Sequence, residues 1–365
     1  MTPPVLTNAE LNRATLARQL LLERSAAAVP AAIERLAGLQ AQEPKHPFIG
    51  LWTRIAGFDR DDLRRALHAR EVVRATLMRS TLHLMSAADY AALRMSMQPP
   101  RSVALRGLGA RAAGLDPDEV LPAARQLLDG APLAFDEIRA RLQEQFPEVN
   151  DRALGYAVRT LLPLVMVPSE DARWGFERVA RFALADEWLG APPGDGDPAA
   201  LARRYLGAFG PASAADLQTW SGVGGMRTVL GGMRDELEVF ADERGRELFD
   251  LPGAPRPDAG VPAPPRFLPE FDNLVLAHDD RSRVIADEHR ALVTTKNLRV
   301  RATFLVDGSV AGTWTIDVKR KLATLRIAPF ATLGTRVRAA LAEEGEALVR
   351  FAEPEAAAHA VTFEE

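Results

Sequence analysis

Three times along the 365-residue chain, two to four helical segments run into a pair of short β-type runs. After a proline-rich stretch the pattern changes to alternating β segments about a tight turn. These observations predict an α+β protein of three tandem winged-helix units plus a C-terminal β-barrel-like module. The units are expected over residues 1–110, 111–195 and 196–255, and the β-rich module, with one helix, over 256–365. The recurrence at roughly 80–90 residues carries the argument, since no single unit is distinctive by itself.

Thr7-Asn8-Ala9-Glu10 has the spacing of a capping box and opens a helix running to about Leu22. Pro30 suits the first turn of a second helix, expected over 30–40, with Ile33, Leu36, Ala37 and Gln40 on one face. Pro44 disfavours helical geometry at Glu43, so this helix is expected to end near Gln40. A third helix is expected over 47–56. Asp59 and Asp62 suit the first turn of a fourth, with Leu63, Ala66 and Leu67 facing inward and Arg60, Arg64 and Arg65 outward. The β-type runs EVVRATLM and STLHLM then meet near Arg79–Ser80 as the expected wing.

In the second unit, 117–129, 134–146 and 150–162 read as helices ahead of β-type runs at LVMVPS and RWGFERVARF. The third begins at LARRYLGAFGPASAADLQTW, where Ser213 and Asp216 suit a helix start, and ends in β runs near ELEVFAD and RELFDL. GVGGMR, 222–227, reads as a turn among helices, because no hydrophobic strand precedes it as a dinucleotide loop requires. Residues 252–266 are a proline- and glycine-rich linker. Beyond it, RATFLVDGSVAGTWTIDV is two alternating runs about Asp307-Gly308, a strong hairpin signal. LATLRIAPF follows the basic turn Lys319-Arg320-Lys321, and a helix over 333–351 and a strand near HAVTF complete the chain.

Composition is that of a globular protein, 47% hydrophobic and 26% charged. No apolar run approaches the ~20 residues of a membrane helix, and MTPPVLTNAE lacks the layout of a signal peptide. Without cysteine there is no disulfide, thiolate nucleophile or cysteine-type zinc site. A cytoplasmic protein, acting without membrane or cofactor, is expected. The net charge of −4 does not itself point to nucleic acid, but its distribution is uneven. Residues 52–111 carry eleven Arg against five acids, and 281–326 carry ten Arg or Lys against four. From 343 onward there are seven acids and one Arg. Such runs are either solvated helix faces or a basic surface split over two distant segments.

Standard catalytic signatures are scarce: there is no P-loop, HExxH or GxSxG, and the six histidines form no metal-spaced pair. The unusual stretch is GLQAQEP, 38–44. Gln40 falls on an apolar stripe, and a polar group turned inward needs partners or costs ~1–3 kcal/mol. If the chain becomes extended after the helix, Gln40 and Gln42 face one side while Ala41 packs the other way. Two readings remain open: the amides satisfy helix-end carbonyls, or they address a common site.

GLQAQEP, RATLMRSTLHLMSAADYAALR, LARRYLGAFGPASAADLQTWSG, LPEFDNLVLAHDDRSRVI and FLVDGSVAGTW together resemble the AlkZ/YcaQ-type family of winged-helix DNA glycosylases, over about residues 30–315. The resemblance implies three winged helices and a β-barrel around a DNA channel. It also implies a catalytic Gln–apolar–Gln motif, matched by Gln40-Ala41-Gln42, in which the glutamines position water. The implied reaction is hydrolysis of the N-glycosidic bond of N7-alkylated purines, including unhooking of interstrand crosslinks. The partner would be double-stranded DNA carrying alkylated bases, with the protein a monomer that joins the nucleoid when bound. In the wing turn the family commonly has glycine where Ser80 stands.

Asp272, in PEFDNLVLAH, is either a catalytic carboxylate or a turn or N-cap residue; Asn273 is the accompanying candidate. For DNA contact, Arg79 and His83 on the first wing, Lys319, Arg320 and Lys321 at the β turn, and Arg281, Arg283, Arg299 and Arg301 are candidates for phosphate binding. The competing function is a winged-helix transcriptional regulator without catalytic activity, although no dimerisation segment is evident.

Overall fold

Thr7 caps α1 (Asn8–Arg18) in both directions: its side chain accepts from the Glu10 backbone, and Glu10 reaches back to the Thr7 amide. The computed structural model describes residues 3–98, 105, 107–295, 297 and 299–364. A two-residue strand, β1 (Val5–Leu6), precedes α1 and pairs in parallel with a strand of the third unit. Asn12, Arg13 and Arg18 of α1 are buried with distant partners. Asn12 donates to the carbonyls of Arg283 and Gly308 at 2.7 and 2.9 Å, and Arg13 pairs with Asp307. Arg18 grips Asp250 through two hydrogen bonds of 2.6 and 2.8 Å.

Next come α2 (Val29–Arg35), β2 (Leu39–Gln40), α3 (Lys45–Trp52) and α4 (Arg60–His68). Asp59 and Asp62 form the second capping box, and Leu63, Ala66 and Leu67 are buried as the spacing predicts. The helix expected over 30–40 stops earlier. Ala37 and Gly38 take left-handed φ of 55° and 87°, and the chain leaves helical geometry there rather than at Pro44. A β-carbon on Gly38 would lie 2.9 Å from the Leu84 carbonyl oxygen, so only glycine fits. Pro44 instead stands at the start of α3.

The hairpin of β3 (Val72–Thr76) and β4 (Leu82–Ser86) forms where expected, followed by α5 (Ala87–Leu93). It is not a protruding wing. The second unit contributes α6 (Pro117–Leu128), β5 (Leu133–Ala134), α7 (Phe135–Gln145), α8 (Asp151–Leu161), β6 (Leu164–Met166), β7 (Arg181–Leu184) and α9 (Ala185–Leu189). The strands of both units join one six-stranded sheet in the order β2-β4-β3-β6-β7-β5. The hairpin is therefore central, and every residue of β3 is buried. Its apolar residues occur on both faces, which suits a strand covered on both sides.

The third unit holds α10 (Pro198–Phe209), α11 (Ala214–Ser221), α12 (Met226–Gly232), β8 (Glu238–Asp242) and β9 (Glu247–Asp250). Ser213 and Asp216 cap α11 reciprocally. Gly222 and Gly225 form the expected turn between α11 and α12. The linker is pinned rather than loose: Arg256 pairs with Asp250 and Glu238, and the carbonyls of Pro255 and Val261 accept from Arg18 and Arg13.

In the C-terminal module, β10 (Arg266–Leu268), the short helix α13 (Arg290–Val293), β11 (Thr303–Val306), β12 (Ser309–Lys319), β13 (Leu322–Pro329), α14 (Thr335–Ala352) and β14 (Ala358–Phe363) follow in order. The strands form an open five-stranded sheet, β10-β11-β12-β13-β14, so the expected barrel does not close among the described residues. Its apolar face is covered by α14 instead. Phe267, Phe304, Trp314, Leu325 and Ile327 share a core with Leu341, Leu348 and Val349, which removes the need for the sheet to curl on itself. Asp307 and Gly308 both have positive φ, as do Arg320 and Lys321, giving two-residue turns at both hairpins. No helix among the described residues is long and apolar enough to cross a membrane.

Candidate active site

Because the helix ends at Ala37–Gly38, Gln40 lies on an extended segment. It sits opposite His83 in the β2–β4 ladder, and the Ala41 amide continues the pairing to Leu82 at 2.7 Å. Leu39 and Ala41 enter one apolar cluster, which turns Gln40 to the opposite side of the strand. Gln40 is buried and Gln42 is exposed at the bend that follows.

The backbone of the motif is held by Arg74 from β3. Its guanidinium donates to the Ala41 carbonyl at 3.0 and 2.8 Å and to the Gln42 carbonyl at 3.2 Å, and lies 4.9 Å above the Phe176 ring. Burial pushes Arg74 down to about 10, with the Glu43 carboxylate opposing, so it stays charged at neutral pH. The Gln40 side chain is held separately. Its Oε1 accepts from Arg79 at 2.9 Å, and Arg79 also donates to the Trp220 carbonyl.

From the other side, residues 270–273 of the C-terminal module reach the same segment. Asn273 Nδ2 donates to the Gly38 carbonyl at 3.0 Å. Asp272 forms a two-fold pair with Arg54 at 2.8 and 2.9 Å, and also accepts from the Leu274 amide at 3.0 Å. Both side chains of that pair are sealed from solvent. Asp272 is thus a cap and an ion-pair partner whose oxygens are occupied, the turn or N-cap reading of the two its sequence allows. Phe271 and Glu270 flank His46 of α3, with rings 6.3 Å apart and Glu270 Oε2 3.9 Å from Nε2. Burial, reinforced by Lys45, Arg299 and Arg74, pushes His46 down to about 3 and leaves it neutral.

The expected DNA contacts divide sharply. His83 lies in the interior of the first unit, and Arg79 is half-buried between the first and third units. His83 is fully buried, with Nδ1 3.0 Å from the Thr81 carbonyl, and Arg79 is bound to Gln40 and Trp220. Arg283 is buried against Thr15 and the Pro211 carbonyl, so it cannot meet phosphate. Arg281 is partly buried, and burial first, then Arg290, lowers it. Arg299 is exposed but paired with Glu270 at 2.6 Å. Arg301 is exposed. Lys319, Arg320 and Lys321 form an exposed hairpin tip, flanked by exposed Val318 and Leu322.

A family model described as DNA glycosylase AlkZ-like matches residues 33–351, most of the chain. The chain belongs to that family. This AlkZ-like protein is therefore a DNA glycosylase, a hydrolase acting on N-glycosyl bonds, and the reading as a non-catalytic regulator falls. It is 28% identical over 322 residues to an interstrand DNA cross-link repair glycosylase of Streptomyces sahachiroi, spanning 82% of this chain and 85% of that protein. Its fold is similar to that of the solved Streptomyces sahachiroi DNA glycosylase AlkZ, with a TM-score of 0.81 at 23% identity over 99% of this chain and 100% of that one.

Sequence reading of this AlkZ-like chain missed Arg74, His46 and Glu270. A signal existed for Arg74, a lone cation inside the apolar run EVVRATLM. His46 and Glu270 meet only through tertiary contact between elements over two hundred residues apart, which no local pattern encodes.

Proposed function

We propose that the protein excises N7-alkylated purines from double-stranded DNA, unhooking of interstrand crosslinks included, with Gln40 and Gln42 positioning the attacking water. The observation that carries this reading is the Gln40-Ala41-Gln42 segment itself: Gln40 buried at the end of β2 and Gln42 exposed at the bend that follows, with the Ala41 and Gln42 carbonyls clamped by Arg74. An N7-alkylguanine is cationic, so its glycosidic bond is weakened and the base departs without a strong acid. Water attacks the anomeric carbon, the bond to N9 breaks, its electron pair neutralises the departing base, and one water proton passes to solvent. What the enzyme must supply is water placement and partial negative charge beside an oxocarbenium-like sugar. A glutamine carbonyl offers both, since it accepts a hydrogen bond and presents a fixed dipole. Positioning of this kind is worth several kcal/mol. The Streptomyces relative, an interstrand DNA cross-link repair glycosylase, supports the bulky end of the substrate range.

The test is alkali-revealed strand cleavage of duplex DNA containing N7-methylguanine. Gln40→Ala and Gln42→Ala should each lower excision by about 10²-fold or more, the scale of losing one preorganised polar group. Gln42→Asp should retain altered activity, because a carboxylate also accepts from water. Unchanged excision in both alanine variants would overturn the reading.

A further inference from the structure

We propose that Arg79 is a positioning residue for the reaction, fixing the orientation of the Gln40 amide and tying it to the end of helix α11. The proposal rests on the role given to Gln40 above. Arginine has only donors, so the Gln40 atom 2.9 Å from its guanidinium must be the carbonyl oxygen. Flipping the amide would set its NH2 against another donor. One lone pair of Oε1 is thus committed to Arg79, and the other is held in a fixed direction.

The same guanidinium donates to the Trp220 carbonyl in the last turn of α11, where carbonyls lack helical partners and carry partial negative charge. Gly222, just beyond, has φ +76°, and a β-carbon there would lie 3.3 Å from the Arg79 Cα and 3.4 Å from its nitrogen. The third unit is shaped to let the Arg79 backbone approach. Arg79 and Ser80 both occupy the left-handed region, at φ 53° and 59°, a conformation uncommon for these residues and held here by the surrounding contacts. Burial, then Arg281, lowers Arg79 to about 10, and it remains charged at neutral pH. The guanidinium therefore links the third unit to the catalytic amide, and a shift of the α11 terminus on DNA would be transmitted to Gln40.

The experiment is a double-mutant cycle in single-turnover excision of N7-methylguanine, using the full chain with Gln40→Ala, Arg79→Ala and both together. DNA affinity and thermal melting are measured in parallel. The expected results are a rate on the order of 10-fold or more lower for Arg79→Ala, DNA affinity unchanged, and a double variant no slower than Gln40→Ala. Free guanidinium ion should restore part of the rate to Arg79→Ala and none to Gln40→Ala. Should Arg79→Ala fail to fold, Arg79→Lys replaces it. A point charge cannot bridge both carbonyls, so a reduced single-turnover rate at unchanged affinity is expected there too, and a wild-type rate would overturn the proposal. A wild-type rate in Arg79→Ala beside an inactive Gln40→Ala overturns this inference and leaves the Gln40 reading standing. A wild-type rate in Gln40→Ala overturns that reading itself. Loss of affinity matching the loss of rate would make Arg79 a DNA contact instead.

Discussion

Arg54 and Asp272 meet through two hydrogen bonds, 2.9 and 2.8 Å long, with neither side chain reaching solvent. The pair joins the first unit to the C-terminal module next to Asn273, which binds the Gly38 carbonyl. Removing one partner strands a buried charge, which costs about 3–5 kcal/mol. Asp272→Asn should therefore lower the melting temperature strongly, while excision by the folded protein at low temperature stays close to wild type. A fall of orders of magnitude in the rate of fully folded protein would return Asp272 to the catalytic list.

Gly38→Ala should destabilise the protein by about 2 kcal/mol or more, since it combines a strained φ with a clash against the Leu84 carbonyl. Denaturant midpoints measure it. Because the residue fixes where α2 ends, the variant should also depress excision through displacement of Gln40.

Where the helix ends shows how far local sequence can be read. The helix starts near Thr7, Asp59 and Ser213 were legible because each rests on residues three apart, although only the first reads as a capping box. The end of α2 was not, because Pro44 is a conspicuous breaker while Gly38 is required by Leu84, a residue of another strand. The two glutamines were legible as a polar pair out of place. The destinations of the arginines were not: Arg79, Arg283 and Arg301 look alike in sequence, and only packing makes the first a tether, the second a core residue and the third a surface cation. A β module with a helix packed on it was legible, but whether it closes was not, because strand patterning alone does not separate a curled sheet from a barrel.

His46 should make stability depend on pH. Its folded value of about 3 lies below the ordinary 6.5, so the unfolded chain binds the extra proton. The neutral imidazole contributes fully above about pH 6.5, and that contribution is lost as pH falls towards about 3. A loss of about 1–2 kcal/mol is expected near about pH 5.5. His46→Gln should flatten the pH dependence of the urea midpoint over this range. An identical slope in both proteins would show that other groups carry it.

The hairpin tip offers the cleanest test of DNA contact, because Lys319, Arg320 and Lys321 are exposed. Replacing all three by alanine should weaken binding to duplexes of any sequence and reduce the salt slope by roughly 2–3. The melting temperature should not move. A salt slope equal to wild type would exclude the tip from the DNA footprint.

Ser80→Gly should raise stability by about 0.5–1 kcal/mol, since serine at φ 59° is strained where glycine is not. Thermal melting reads this directly, and a lower melting temperature would show that the serine side chain has a compensating contact.

The polar anchors of α1 have a consequence for synthesis. Asn12, Arg13 and Arg18 are made well before their distant partners, which lie 188 to 296 residues further on. At about 5–20 residues per second, translation leaves that helix waiting roughly ten seconds to a minute before its charges can be covered. The glutamine segment is already outside the ribosome by then. Its completion must await Asp272 and Asn273, so a truncated nascent chain exposes the glutamine strand without the contacts that hold it in place.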